Sequence, residues 1–214
     1  MEFILKWLLM ASVQAAATIS PGPAFVLAVR NAVTYDRRAG LFTALGLGAG
    51  VAVHVMVVLG GLAVLLQHYT YVFDVIRYAG AAYLIFIGSK ALISRRQAKA
   101  EEPEVLPEGV LSSRAVVSGR KAFSMGFLTN LLNPKAVIFF TAVFTQFIGP
   151  GTPVSVMALY GLTSVVIEIT WFSGVAVVLT NPGIKERFMG AVHWVERTCG
   201  GLMIGLGLKL AFSR

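Results

Sequence analysis

The chain has 214 residues, of which 57% are hydrophobic and 13% charged, and a mean hydropathy of +0.77. Soluble domains average about 25% charged residues, so the composition is that of an integral membrane protein. A net charge of +8 would suit nucleic acid only on a soluble basic face, and here the cations lie between apolar blocks. Nucleic acid is thereby excluded as a partner and the lipid bilayer is expected. The single cysteine, Cys199, excludes an internal disulfide and a Cys-pair redox relay.

A helix needs about 20 apolar residues to cross the hydrocarbon. On that measure the sequence predicts an all-α protein with six spans: Phe3 to Val29, Leu41 to Leu66, Tyr71 to Ile93, Lys121 to Ile148, Val154 to Leu179 and Val192 to Phe212. The first twenty residues also read as a secretory signal with small residues at Ala15 to Ala17. Glu2 spoils the basic start that such a signal needs, and another span follows rather than a secreted domain.

The connections set the orientation. Arg30, Arg37 and Arg38 lie between spans one and two, and Arg95, Arg96, Lys99, Arg114 and Arg120 between three and four. Lys185, Arg187 and Arg197 lie in or beside the connection from five to six, whereas QFIGPGTPV, between four and five, has no charge. With cations kept in the cytoplasm, both termini are predicted outside. Lys90 and Lys209, near span ends, are expected to snorkel.

Residues 94–120, with Pro103, Pro107 and charges of both signs, read as a cytoplasmic linker between two halves, 1–93 and 121–214. The halves carry the same landmarks in the same order: Ser20-Pro21 and Asn133-Pro134, Gly46-Leu47 and Gly161-Leu162, Gly88 with Lys90 and Gly207 with Lys209. Because each half has three spans, the second must enter the membrane from the opposite side. That is an inverted-topology repeat, a common plan of secondary transporters.

Span one carries TISPGPAFVLA from Thr18 to Ala28, and span four carries FLTNLLNPKAVIFF. A proline lacks its N–H and frees a carbonyl one turn earlier, and hydrocarbon satisfies neither loose end. Both spans are therefore predicted to break, the first at Ser20, Pro21, Gly22 and Pro23, the fourth at Asn130, Asn133, Pro134 and Lys135. New half-helices starting near Pro23 and Lys135 would present N–H groups to a carboxylate, while the carbonyls around Thr18 to Ser20 and Asn130 to Leu132 would accept from an ammonium. A zwitterion suits both ends; a plain proline kink bridged by neighbouring Ser or Thr is the alternative.

Three ionisable residues fall inside the spans, His54, Lys135 and Glu168, where a charge costs about 2.5–3.5 kcal/mol on insertion scales. Glu168 is the candidate for a substrate amine or a proton, His54 for proton coupling, and Lys135 for a substrate carboxylate or for neutralising Glu168. The structural alternatives are a neutral His54 bonded to a carbonyl and a Glu168–Lys135 ion pair. Gly46, Gly50 and His54 recur every four residues and, with Gly48, form a stripe suited to close helix packing or, less well, to a smooth substrate wall. Gly201 and Gly205 read as packing, a homodimer contact being one form of it. Ser20 and Asn133 are expected to cap half-helices, and Gln14 and Asn130 to cap or to touch substrate. Scattered histidines and the lack of a phosphate-binding loop predict no metal, no cofactor and no direct use of ATP.

With SPGPA at Ser20 to Ala24, the Gly46, Gly50, His54 stripe, YAGAAYLIFIGSKAL at Tyr78 to Leu92, LTNLLNPKAVIFF at Leu128 to Phe140, and Glu168, the chain resembles the LysE/RhtB family of amino-acid exporters over nearly its whole length. The resemblance implies a six-helix carrier of the inner membrane that expels small-molecule amino acids in exchange for protons. Members similar to this one handle neutral amino acids such as threonine, homoserine or leucine. Many relatives carry an acidic or amide residue where this chain has Val51, which argues against a cationic substrate such as lysine. Two rival readings are a membrane-embedded enzyme, with His54 serving Ser20 or Ser173, and a passive channel or scaffold.

Overall fold

The computed structural model describes residues 1–20, 22–93 and 117–179, together with helical positions at 198, 200, 201, 204, 205 and 208. Seven helices follow in order among the described residues: α1 (Glu2–Ile19), α2 (Pro23–Thr34), α3 (Arg37–His68), α4 (Thr70–Ile93), α5 (Gly119–Leu131), α6 (Pro134–Phe147) and α7 (Val154–Leu179). There is no strand among these residues. Helices α1, α3, α4 and α7 are each long and apolar enough to cross a membrane, and the bent pair α5–α6 makes a fifth candidate. The predicted sixth span, Val192 to Phe212, lies outside the described residues apart from the isolated helical positions, as do Pro21 and residues 94–116 of the linker.

The two predicted breaks are present, and local backbone chemistry accounts for them. A residue before proline is pushed out of the helical region. Ser20, Gly22 and Asn133 each precede a proline, and all three are extended, with ψ of 128°, −175° and 104°. Pro23 and Pro134 then occupy the first helical position, where a missing N–H does no harm. Pro23 and Pro134 are thus alike in place, each the first residue of its half-helix. The α5 and α6 axes meet at 60°.

Elsewhere the chain turns sharply. Asp36 caps α3, its carboxylate accepting from the Ala39 N–H at 2.6 Å, and only Tyr69 separates α3 from α4. Helix α3 has 32 residues, about 48 Å at 1.5 Å per residue, longer than a bilayer core is thick. Between α6 and α7 the Gly149 N–H donates to Thr152 Oγ1 and the Thr152 N–H to the Gly149 carbonyl, and Gly151 takes the positive φ of 80° that the turn requires.

Helix α3 is the hub, packed chiefly on α5 and α7, while α4 packs on α6, and α2 on α3 and α7. Its glycine stripe works as packing. A Cβ on Gly46 would run into the Phe123 carbonyl of α5, one on Gly50 would meet Asn130 Cβ at 2.8 Å, and one on Gly126 would strike the Thr43 carbonyl in return. Gly48 abuts Ile169 of α7. Backbone is thus laid on backbone along α3 and α5, as small residues allow in membranes.

The apolar core is divided in two. One cluster gathers Met10, Val13, Val51, Val55, Leu62, Phe140, Phe144 and Tyr160; the other gathers Phe25, Ala28, Ala44, Leu47, Phe172 and Val175. Along α1–α2, α3 and α7 alike, one cluster takes one end of the chain segment and the second takes the other. Between them lies a polar layer.

Because the Gly46 contact is with main-chain atoms that cannot swing aside, Gly46→Ala is expected to destabilise the protein by about 3 kcal/mol. A Gly60→Ala control, where a Cβ meets nothing within 4 Å, should be neutral; unfolding of both variants in detergent measures the difference.

Candidate functional site

Glu168 sits in the middle of α7, 6% exposed, in a helix with no other charged residue. Its Oε2 accepts from Thr18 Oγ1 at 2.9 Å, and its Oε1 from Asn130 Nδ2 at 3.1 Å. The carboxylate is held by a hydroxyl and an amide. Lys135 lines the same cavity. Thr18 in turn accepts from Gln14 Nε2 at 3.2 Å, one helical turn back on α1.

Asn130, near the end of α5, ties three helices together. Its amide gives one hydrogen to Glu168 and the other to the Leu47 carbonyl of α3 at 2.8 Å. Its own carbonyl accepts from the Asn133 N–H at 3.0 Å and from His54 Nε2 at 2.9 Å. A carbonyl oxygen only accepts, so Nε2 of His54 carries the hydrogen. Both lone pairs of that carbonyl are occupied, and the expectation that it would hold a substrate amine is corrected to that extent. His54 thus lies behind Asn130.

The two half-helix starts differ. At α6, Asn133 caps as expected, its Oδ1 accepting from the Lys135 N–H at 3.1 Å, and the Ala136 N–H reaches the Asn133 carbonyl at 3.1 Å. At α2 the capping position is Gly22, which has no side chain to offer, and the first bond is from the Val26 N–H to the Gly22 carbonyl at 3.0 Å. Ser20, expected to cap, ends α1 instead and lies too early in the chain to cap α2. The N–H groups of Ala24 and Phe25 are therefore without hydrogen bonds among the described residues.

These groups converge on one cavity of about 660 Å³, its open mouth included. Ser20, Gly22, Pro23, Asn130, Asn133, Lys135 and Glu168 all line it. Pro134 is exposed beside it, and Pro21 lies outside the described residues. Val51 also faces the cavity, at the position where an acidic side chain would have favoured a cation. Gln14, expected to cap or to touch substrate, lines the cavity too, and Thr18 and four aromatic rings, Phe25, Phe139, Phe140 and Phe172, join the wall without their side chains having been singled out from sequence as binding groups. Gln14 and Thr18 carry a readable signal, two polar residues four apart on one face of an apolar helix.

The family model described as LysE type translocator matches residues 15–214. The chain belongs to that family. It is 30% identical over 216 residues to the threonine efflux protein of Escherichia coli (strain K12), covering 99% of this chain and 100% of the relative. The threonine efflux protein of Salmonella typhimurium (strain LT2) is 31% identical, covering 95% and 96%. The homoserine/homoserine lactone efflux protein of that organism is 26% identical, covering 92% and 91%. No solved structure matches significantly. The translocator family assignment and the apolar helices make the chain a multi-pass membrane protein.

Removing the amide of Asn130 should leave a buried Glu168 oxygen without its donor, and Asn130→Ala is expected to destabilise by about 2 kcal/mol. Asn130→Asp, which sets a second carboxylate against the first, should be worse. Thermal unfolding of the purified variants gives the order.

Proposed function

We propose that the chain is an inner-membrane exporter of neutral amino acids, driven by proton antiport. The observation that carries this reading is Glu168, a buried carboxylate held by Thr18 and Asn130 on a cavity that it shares with the N-terminus of α2, where no side chain caps the helix. A zwitterion fits that pair: its carboxylate receives the Ala24 and Phe25 N–H groups at the positive end of α2, and its ammonium meets Glu168. Ser20, Gly22, Pro23, Asn130, Asn133, Pro134 and Lys135 frame the same space, with Lys135 adding positive charge on the α6 side. Pro21 belongs to this set as the residue that keeps Ser20 extended. The names of the efflux relatives support the same substrate class and direction of transport.

Antiport follows from competition. An ammonium and a proton both neutralise Glu168, and one carboxylate in a low-dielectric site does not hold both. On the side where substrate is plentiful it displaces the proton; on the side where protons are plentiful they displace the substrate. His54 enters the coupling through Asn130, whose carbonyl it holds while the Asn130 amide holds Glu168.

The architecture in this reading is six membrane helices in two inverted three-helix repeats, 1–93 and 121–214, joined by a cytoplasmic linker at 94–120, with both termini outside. The packing of α2 on α7 and of α6 on α3 is the exchange that such a repeat requires. The uncharged α6–α7 turn and the cationic α2–α3 connection, on opposite faces, support the orientation.

Purified protein in proteoliposomes should accumulate labelled threonine, homoserine or leucine when a pH gradient is imposed. Glu168→Gln, which keeps the shape and removes the titratable group, should lose gradient-driven accumulation by at least about 100-fold while still inserting and folding. Accumulation at the parental rate in that variant would overturn the role of Glu168.

A further inference from the structure

Among the described residues that line the cavity, Gln14 has a buried side-chain oxygen without a partner. Gln14 is 2% exposed, and its Oε1 accepts no hydrogen bond. The direction of the amide follows from its neighbours: Thr18 gives its single hydroxyl proton to Glu168, so Thr18 Oγ1 must accept from the amide nitrogen of Gln14. The oxygen is thereby turned away from Thr18. A buried amide oxygen without a donor is costly and rare in folded proteins.

The neighbouring Asn130 amide and Asn133 Oδ1 have assigned partners. Both hydrogens of the Asn130 amide go to Leu47 and Glu168, and Asn133 Oδ1 holds the Lys135 N–H. Around them the wall is apolar, with Ala17, Val51, Ile87 and the phenylalanines. Gln14 Oε1 is thus a neutral acceptor, buried and unmet, on the α1 side of a mostly apolar space.

We infer that Gln14 is a specificity-determining residue: its Oε1 accepts a hydrogen bond from a hydroxyl on the substrate side chain and selects hydroxy-amino acids over apolar isosteres. The inference rests on the amino-acid carrier reading above. There the charged ends of the substrate are already placed, the carboxylate at α2 and the ammonium at Glu168. A charged acceptor outcompetes a neutral amide for an ammonium, so the donor left for Gln14 is the uncharged one on the side chain. A hydroxyl in that position satisfies the oxygen. An apolar side chain of the same shape leaves it unmet, which is why a site built to bond a hydroxyl rejects the analogue that lacks one.

The test compares threonine with valine, and homoserine with norvaline, as substrates of the purified protein in proteoliposomes. Parental protein should favour the hydroxylated member of each pair by about tenfold or more. Gln14→Met has nearly the same volume and no acceptor amide, and should bring both ratios close to one; a general packing defect would lower all four rates together and leave the ratios standing. Gln14→Asn, which withdraws the oxygen by one methylene, gives the same reading if the methionine variant does not insert. A preference that survives either folded variant would overturn the inference, as would parental ratios near one with amino acids carried normally. Absence of flux for every amino acid in folded parental protein would instead overturn the carrier reading, and this inference with it.

Discussion

A carboxylate in the middle of a membrane helix has to be surrounded, and the arrangement of the described helices around Glu168 follows from that need. In hydrocarbon neither water nor lipid tails supply hydrogen bonds, so the donors come from other helices. Thr18 comes from α1 and Asn130 from α5. Asn130 reaches α7 only because α5 lies directly against α3, and it lies there only because Gly46, Gly50 and Gly126 have no side chains between the two backbones. The glycine stripe and the acid are therefore one feature. Backbone contact at the stripe sets the distance across which the amide of Asn130 spans Leu47 and Glu168.

The breaks in the helices serve the same centre unequally. At α6 the loose ends are tied internally: Asn133 caps Lys135, and the freed Asn130 carbonyl is held by His54 and the Asn133 N–H. At α2 glycine stands at the capping position and offers no side chain to tie them. A bent helix with its ends satisfied is scaffold, and a bent helix with N–H groups facing a cavity is a place for an anion. The two breaks are thus built differently, although both border the same cavity.

Much of this was legible in the sequence, for physical reasons that particular residues make plain. Prolines in an apolar run had to interrupt helices, and an isolated Glu168 had to face the interior, because the bilayer leaves no other arrangement. The glycines at four-residue spacing had to lie on one face. What stayed hidden depended on which groups meet. That Ser20 would end α1 rather than cap α2 turns on Pro23, not Pro21, taking the first helical position. That the Asn130 carbonyl would be occupied depends on His54 arriving from another helix, 76 residues away in sequence. The aromatic lining was unreadable for a simpler reason: with 14 phenylalanines spread over the chain, nothing marked Phe25, Phe139, Phe140 and Phe172 as the ones that face a cavity.

The division of the core bears on how such a site operates. Two apolar clusters flank the polar layer, one formed around Tyr160 and Phe144, the other around Phe172 and Phe25. Phe139 and Phe140 belong to the first cluster and Phe25 and Phe172 to the second, and all four also touch the cavity. Apolar contacts are non-directional and part without leaving polar groups unmet, whereas the hydrogen bonds of Glu168 and Asn130 do not. Motion that opens one side of the cavity therefore costs least when it separates rings within one cluster and leaves the polar layer whole.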